Sequence, residues 1–315
     1  MRVLVTGAAG FLGTAVTAAL ARHGHEPVAF IRRDRPEPDG AVATRRGDIG
    51  DLDGVCAAVA DVEAVCHLAG LARVRDSIAD PLLYWRTNLG GTLNVLDALV
   101  AVADRNRPKR LVLASTAAVY GTPERQPINE DAPTTPGNPY GASKLAADHA
   151  AAHVAATGII GAISLRAFNI AGAAGGVPDR DISRLIPKLL AVQAGLEPEL
   201  AINGDGSAVR DFVHVIDMAE AFVLALGGCT PGQWRAYNVG GGRRTRVLDV
   251  VRSVEQVTAG RVAVRHDPPA PEPPVLLADS TRIMQELGWQ PRNSDLSQIL
   301  SDGWKALNST YTAQE

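Results

Sequence analysis

The sequence predicts an α/β protein, a parallel sheet with helices on both faces, and three observations predict it. Apolar runs of strand length alternate with amphipathic helical stretches through the first half of the chain. A glycine-rich turn joins the first strand directly to the first helix. The composition, 46% hydrophobic and 21% charged, is that of an ordinary globular chain with ample apolar material for a core.

The candidate strands of the first half are Val3–Thr6, Pro27–Ile31, Ala64–Leu68, Arg110–Ala114 and Gly161–Arg166. Between them Gly13–His23, Leu52–Val59, Thr92–Arg105 and Ser143–Ala156 carry helical apolar spacing. Alternation of this kind implies right-handed crossovers and a parallel sheet, with ligands at the carboxyl ends of the strands. After Arg166 the pattern loosens. A loop at Gly172–Asp181 leads to a helix over Ile182–Ala194, a strand at Leu200–Asn203 and the turn Gly204-Asp205-Gly206. Asp217–Leu226 and Val247–Thr258 read as helices, and Tyr237–Val239 and Arg261–Arg265 as short strands. Pro268–Pro274 has five prolines in seven residues and must be irregular or extended. The second half therefore predicts a smaller cap over the strand ends.

The 315 residues carry 31 basic and 34 acidic side chains, a formal charge of −3. This balance gives no reason to expect nucleic acid or a membrane surface as partner. No apolar run approaches the ~20 residues that span a bilayer. Met1 leads straight into a strand, so no signal peptide is expected and the expected location is cytoplasmic. Cys56, Cys66 and Cys229 are odd in number and irregular in spacing, which suggests neither a disulfide nor a metal site.

Gly7-Ala8-Ala9-Gly10-Phe11-Leu12-Gly13 follows a strand and opens a helix. Glycine allows the tight turn and a close approach of pyrophosphate, and the helix start offers free N–H groups and a positive dipole end. A plain strand–helix turn could use the same glycines. The context favours a Rossmann-type doubly wound sheet that binds a dinucleotide, with Gly7, Gly10, Phe11, Leu12 and Gly13 at the pyrophosphate. At the end of the second strand, Phe30-Ile31-Arg32-Arg33-Asp34 offers two arginines where NAD enzymes commonly place an acid. Arg32 and Arg33 suit a 2′-phosphate, so the expected cofactor is NAD(P), leaning to NADP. A solvated basic turn is the bland alternative, and Asp34 the other if the strand runs longer. Asp48 and Ile49 fit an adenine-edge hydrogen bond and an apolar wall.

Tyr140-Gly141-Ala142-Ser143-Lys144 sets a phenol and an amine four residues apart, on one face if helical. A nearby ammonium and an oxidised nicotinamide would both favour phenolate, letting Tyr140 take or give a hydroxyl proton. Thr116 follows a strand and so falls at the carboxyl edge, where its hydroxyl could hold the same oxygen. The YxxxK spacing alone is common by chance; its place behind the glycine turn is what singles it out.

At this point the chain resembles the extended short-chain dehydrogenase/reductase family, and within it the UDP-glucose 4-epimerase group. VLVTGAAGFLG, GDIGD, HLAGLARVRDSIADP, NLGGTLNVLDA, LASTAAVYG, PYGASKLAADH, LRAFNIAG, INGDGSAVRDFVHVIDMAEAF, YNVGGG and ADSTRIMQELGWQP carry the resemblance almost end to end. It implies Thr116, Tyr140 and Lys144 as the catalytic residues, with Tyr140 and Lys144 also touching the cofactor. It implies Leu68, Ala69 and Gly70 on the adenine and ribose side, Asn88 as support, and Ala167 and Phe168 near the nicotinamide. For the substrate it implies Thr116, Asn169, the segment Ala201-Ile202-Asn203 and Arg210. His214 and Asp217 match family positions too and read as structural, a helix start with its cap. The implied division gives residues 1–168, plus about 210–237, to the dinucleotide, and 169–209 with 238–315 to the substrate. A homodimer is expected, with Thr92–Arg105 and Ser143–Ala156 paired across a two-fold through Ala146, Ala147, Ala150 and Ala151.

One departure concerns the diphosphate. The family usually carries Arg-Arg-x-Gly-Asp ahead of its Ala-Asp segment, and one of those arginines grips the diphosphate. This chain has Pro268-Pro269-Ala270-Pro271-Glu272 instead, with Arg265 as the nearest substitute. The leading expectation is a 4-epimerase of a UDP- or dTDP-hexose that keeps its NAD(P). The alternative is an NADPH-dependent reductase or dehydrogenase of a nucleotide keto-sugar or related carbonyl, which Arg32, Arg33 and the altered loop favour. Ala117-Ala118 lack the acidic pair of a dehydratase, and a silent binding module would have no need of Thr116, Tyr140 and Lys144 together.

Overall fold

Val3, Leu4 and Val5 are fully buried, as are Val28, Ala29, Val65 and Cys66. Continuous apolar runs of this kind form strands covered on both faces. The computed structural model describes residues 1–32, 35–104, 106–270 and 272–312, so Arg33, Asp34, Arg105 and Pro271 lie outside the described residues. The main sheet is built from β1 (Arg2–Thr6), β2 (Glu26–Ile31), β3 (Ala43–Arg46), β4 (Ala64–His67), β5 (Lys109–Thr116) and β6 (Ile160–Ala167), with an edge strand at Trp234–Val239. Its order is edge strand, β6, β5, β4, β1, β2, β3, and every pairing is parallel. The winding reverses between β1 and β4, which opens a crevice at their carboxyl ends.

Helices Phe11–Arg22 and Val215–Gly228 cover one face through Val16, Leu20, Met218 and Phe222. Leu52–Val59, Gly91–Val102 and Pro139–Ala155 cover the other. A second core joins the helices Leu185–Gln193, Val247–Thr258 and Leu296–Thr312 around Leu189, Val250, Val254, Ile299 and Leu300. Leu200–Asn203 runs parallel to Val264–Asp267, and Val209–Arg210 lies between Thr245–Arg246 and Val275–Leu276. No helix among the described residues is long and apolar enough to cross a membrane.

Several expectations shift. The first-half strands and helices form close to where they were placed, but β5 runs on to Thr116 itself. β3 was not expected, because Ala-Thr-Arg-Arg has no apolar face and pairs only with β2 at the sheet edge. Tyr237–Val239 starts earlier, at Trp234, and extends the main sheet. The strand expected over Arg261–Arg265 slides to Val264–Asp267. His214 and Asp217 are structural, as read. The His214 Nδ1 accepts from Ile216 N at 3.1 Å, capping its helix. The buried Asp217 carboxylate accepts from Asn293 N, Asn293 Nδ2 and the Ser294 hydroxyl, which ties the C-terminal segment to the sheet.

Candidate active site

The glycine turn is built for close approach. Gly7 has φ of +69°, and a Cβ there would fall 2.8 Å from the main-chain nitrogen of Ala69, in the loop after β4. A Cβ on Gly13 would fall 2.1 Å from the carbonyl oxygen of Gly7. Gly10 precedes the helix, and no side chain caps it. Its first-turn N–H groups, from Phe11 onward, therefore face the crevice as an anion site. Side chains at Gly7 and Gly13 would strike the backbone of the turn and of the loop after β4, so glycine keeps this turn tight at the helix start, the kind of anion site that suits a dinucleotide pyrophosphate.

From this turn a chain of buried hydrogen bonds crosses the crevice. The Thr6 hydroxyl meets His67 Nδ1 at 2.8 Å and accepts from Leu68 N and Ala69 N at 3.2 and 3.1 Å. His67 Nε2 lies 3.1 Å from the Thr92 hydroxyl, which donates to the Asn88 carbonyl at 2.6 Å. Burial, with Lys144 nearby, holds His67 neutral at about 3. Thr92 spends its proton on Asn88, so it must accept from His67, which assigns the ring proton to Nε2. The Asn88 side chain accepts from Leu71 N at 2.8 Å and donates to Leu71 O and to Ser143 Oγ at 3.1 and 3.0 Å. Ser143 in turn donates to the Tyr140 carbonyl at 2.8 Å.

The reacting candidates sit at the end of this chain. Asn138 caps the helix Pro139–Ala155 by accepting from Gly141 N at 2.9 Å, which places Tyr140 in its first turn. The Tyr140 phenol lies close enough to Thr116 for that side chain to favour its ionised form. Thr116 also accepts from Ala118 N at 3.1 Å. The Tyr140 ring stands edge-on to Tyr84, centroids 6.3 Å apart. Lys144 is buried, and burial lowers it to about 8 despite the opposing charge of Asp148. Asp148 itself is bound by Arg166 at 3.2 Å and by Ser115 at 3.1 Å.

The electrostatics correct one expectation. Burial raises the Tyr140 phenol above its ordinary value, opposed by the Thr116 side chain and the charge of Arg184. Lys144 is not among the groups that pull it down. Its Nζ lies 3.8 Å from where a Gly70 Cβ would be, beside Asn88 and toward the loop after β4. Arg184 and Tyr84, which do face Tyr140, were not singled out from the sequence. Arg184 is held by Asp179 at 2.9 Å, five residues away, next to the Arg73–Asp181 pair; its approach to Tyr140, 44 positions earlier in the chain, leaves no local signal.

Other expected residues divide. Ala167 pairs with Thr116 across β5 and β6, and Phe168 N donates to Val239 O, so both are buried at the crevice floor. Ile49 packs on Gly91, and the exposed Asp48 accepts from Gly50 N at 2.8 Å. Arg32 is exposed at the end of β2, and Arg33 lies outside the described residues. Asn169 donates to Asp211 O at 3.0 Å. Ala201 is exposed, whereas the Ile202 side chain is packed into the second core and is not available to a ligand. Asn203 and Arg210 both bind Glu272. Arg265 is held by Glu199 and Asp267 and does not replace the absent arginine.

A Rossmann sheet with a glycine cradle and a Thr–Tyr–Lys set at its carboxyl edge defines the short-chain dehydrogenase/reductase class. Residues 3–240 match the NAD dependent epimerase/dehydratase family, and the chain belongs to it, in the extended branch of that class. It is 38% identical to a UDP-glucose 4-epimerase of Corynebacterium glutamicum, covering 96% of this chain and 95% of that one. It superposes with a TM-score of 0.91 on a UDP-glucose 4-epimerase from Stenotrophomonas maltophila with bound NAD and formylated UDP-arabinopyranose, at 32% identity and 99% coverage of both chains. A Bifidobacterium longum UDP-glucose 4-epimerase with NAD+ and UDP gives 0.89 at 27% identity, over 99% of each chain.

The cradle yields a direct test. Gly13→Ala must push the helix start away from the Gly7 carbonyl, an overpacking that costs about 1–3 kcal/mol. Dinucleotide affinity measured by calorimetry should fall at least tenfold with a lowered melting temperature. Unchanged affinity would show that the turn does not carry the pyrophosphate.

Proposed function

We propose that this protein is a nucleotide-sugar 4-epimerase, acting on a UDP- or dTDP-hexose with a tightly held nicotinamide dinucleotide. The observation that carries it is the placing of the Tyr140 phenol beside the Thr116 side chain at the carboxyl edge of the sheet, one helical turn from buried Lys144. Near full-length similarity to UDP-glucose 4-epimerases supports the same reading. Residues 1–168, plus about 210–237, would serve the dinucleotide, and 169–209 with 238–315 the sugar nucleotide.

Gly7, Gly10, Phe11, Leu12 and Gly13 would hold the pyrophosphate, Asp48, Ile49, Leu68, Ala69 and Gly70 the adenosine side, and Lys144 the nicotinamide ribose. Bound there, the dinucleotide supplies hydride acceptance and return at C4. Thr116 holds the 4-hydroxyl oxygen, and Tyr140 takes its proton and later gives it back. In the free protein the phenol keeps its proton, because burial raises it. The positive charge of an oxidised cofactor bound beside it would lower it for reaction. Ala167 and Phe168 would wall the reacting face, and Asn169, Ala201, the Ile202 main chain, Asn203 and Arg210 would meet the substrate nucleotide.

The exposed stripe Leu93 and Val100, with Leu82 and Leu83 ahead of it, supports a homodimer through the helices Gly91–Val102 and Pro139–Ala155. Ala147 and Ala151 cannot contribute as expected, because both are buried in the protomer's own core; Ala146 and Ala150 remain. Sedimentation velocity should give a dimer at micromolar concentration, and Leu93→Asp a monomer; a monomeric parent contradicts this pairing.

Tyr140→Phe removes only the phenol oxygen. It should lower interconversion of the two hexoses by 10²–10⁴-fold, the usual worth of proton transfer, with cofactor affinity within a few-fold. Near-parental turnover would remove Tyr140 from the chemistry.

Arg32 and Arg33 support a preference for NADP over the NAD seen in the solved relatives. Titration of cofactor-free protein should then give tighter NADP binding, and the Arg32→Ala, Arg33→Ala double variant should lose ~1.5–3 kcal/mol of it, the range for charged hydrogen bonds. Equal or tighter NAD binding would contradict the preference and remove the best argument for the reductase alternative.

A further inference from the structure

Asp211 is fully buried between the short strands Val209–Arg210 and Phe212–His214. Its carboxylate collects main-chain donors from two distant segments. Gly242 N donates to Oδ1 and Oδ2 at 3.0 and 3.1 Å, and Ala278 N donates to Oδ2 at 3.0 Å. The Asp211 carbonyl accepts twice from Asn169, from the main-chain N at 3.1 Å and from Nδ2 at 3.0 Å.

The loop after the edge strand is shaped to this contact. A Cβ on Gly240 would fall 2.6 Å from the Asp211 Oδ2, and one on Gly241 2.3 Å from the Phe212 carbonyl oxygen. Ser280 closes the same loop, accepting from Gly240 N at 3.1 Å and donating to Gly240 O at 3.2 Å. Arg210, the residue before Asp211, spends its guanidinium on Pro273 O and Glu272 instead. Burial raises the Asp211 carboxyl to about 6, against the pull of the N–H groups around it. A carboxylate raised in this way is destabilised in its charged form by folding, so its charge costs the fold stability. What it delivers is position.

We infer that Asp211 is a positioning residue for the substrate nucleotide, a clamp that holds the Gly240–Gly242 loop, Ala278 and Asn169 against the strand carrying Arg210. Asn169 and Arg210, both assigned above to the nucleotide, then reach the crevice from one fixed point. The buried carboxylate acts only through them. The inference rests on the proposed sugar-nucleotide site.

Asp211→Asn keeps the shape, but in either orientation its amide turns an N–H toward a main-chain N–H. Calorimetric titration with UDP should show binding weaker by about tenfold, the scale of one hydrogen bond to a charged group. KM for UDP-glucose should rise by a similar factor, with kcat and dinucleotide affinity within a few-fold of the parent. Ser280→Ala releases Gly240 alone and should raise KM by a smaller factor with the same selectivity, and it carries the test should the first variant not fold. Unchanged UDP binding in every variant that folds would overturn the positioning role and leave the epimerase reading intact. So would losses of kcat and dinucleotide affinity as large as the loss of UDP affinity. A parent protein that binds dinucleotide but not UDP would overturn both.

Discussion

The hydrogen-bond chain from Thr6 through His67, Thr92, Asn88 and Ser143 to the Tyr140 carbonyl connects the two halves of the crevice. Each buried group in it has a partner, and removing one would strand another at a cost of about 1–3 kcal/mol. The direction of donation is fixed along its length, since Thr92 and Ser143 each have one proton to give and each gives it to a main-chain carbonyl. The Thr6 oxygen already accepts from Leu68 N and Ala69 N, so its proton goes to His67 Nδ1, and this fixes His67 as a neutral ring. The glycine turn, the loop after β4 and the helix that carries Tyr140 and Lys144 are consequently held as one unit.

Charge is set against this frame. Lys144 is the buried cation of the crevice, and burial alone weakens it; Asp148 keeps it from falling further. Asp148 receives Arg166 and Ser115 on one oxygen, while its Oδ1 is buried without a hydrogen-bond partner, so its pull on Lys144 is shared with Arg166. The result is an ammonium near its titration point and a phenol held protonated. Neither group is poised for chemistry in the free protein. A bound cationic ring and ribose hydroxyls would supply what is missing, which couples proton transfer to occupancy of the cofactor site.

The main sheet and the candidate reacting residues were legible in the sequence because each has a local signature. Buried parallel strands are unbroken apolar runs, the cradle is spaced glycines, and Tyr140 and Lys144 share a helix face. Glu272 was legible only as a departure, since its partners lie 62 and 69 residues away. Tyr84 sits in short helical turns with no periodicity to read. The C-terminal helix Leu296–Thr312 is different: Leu296, Ile299, Leu300, Gly303, Trp304 and Leu307 follow helical spacing, and the signal was present in the residues. Ile202 shows a further limit, for a strand that faces a ligand on paper can turn its side chain into a core.

Return of the same hydride to C4 is the central claim, and isotope retention tests it most directly. UDP-glucose carrying deuterium at C4 should be converted to the 4-epimer with the label still at C4, with no net consumption of added NADPH. Loss of the deuterium to solvent, or stoichiometric oxidation of NADPH with each turnover, would contradict the account.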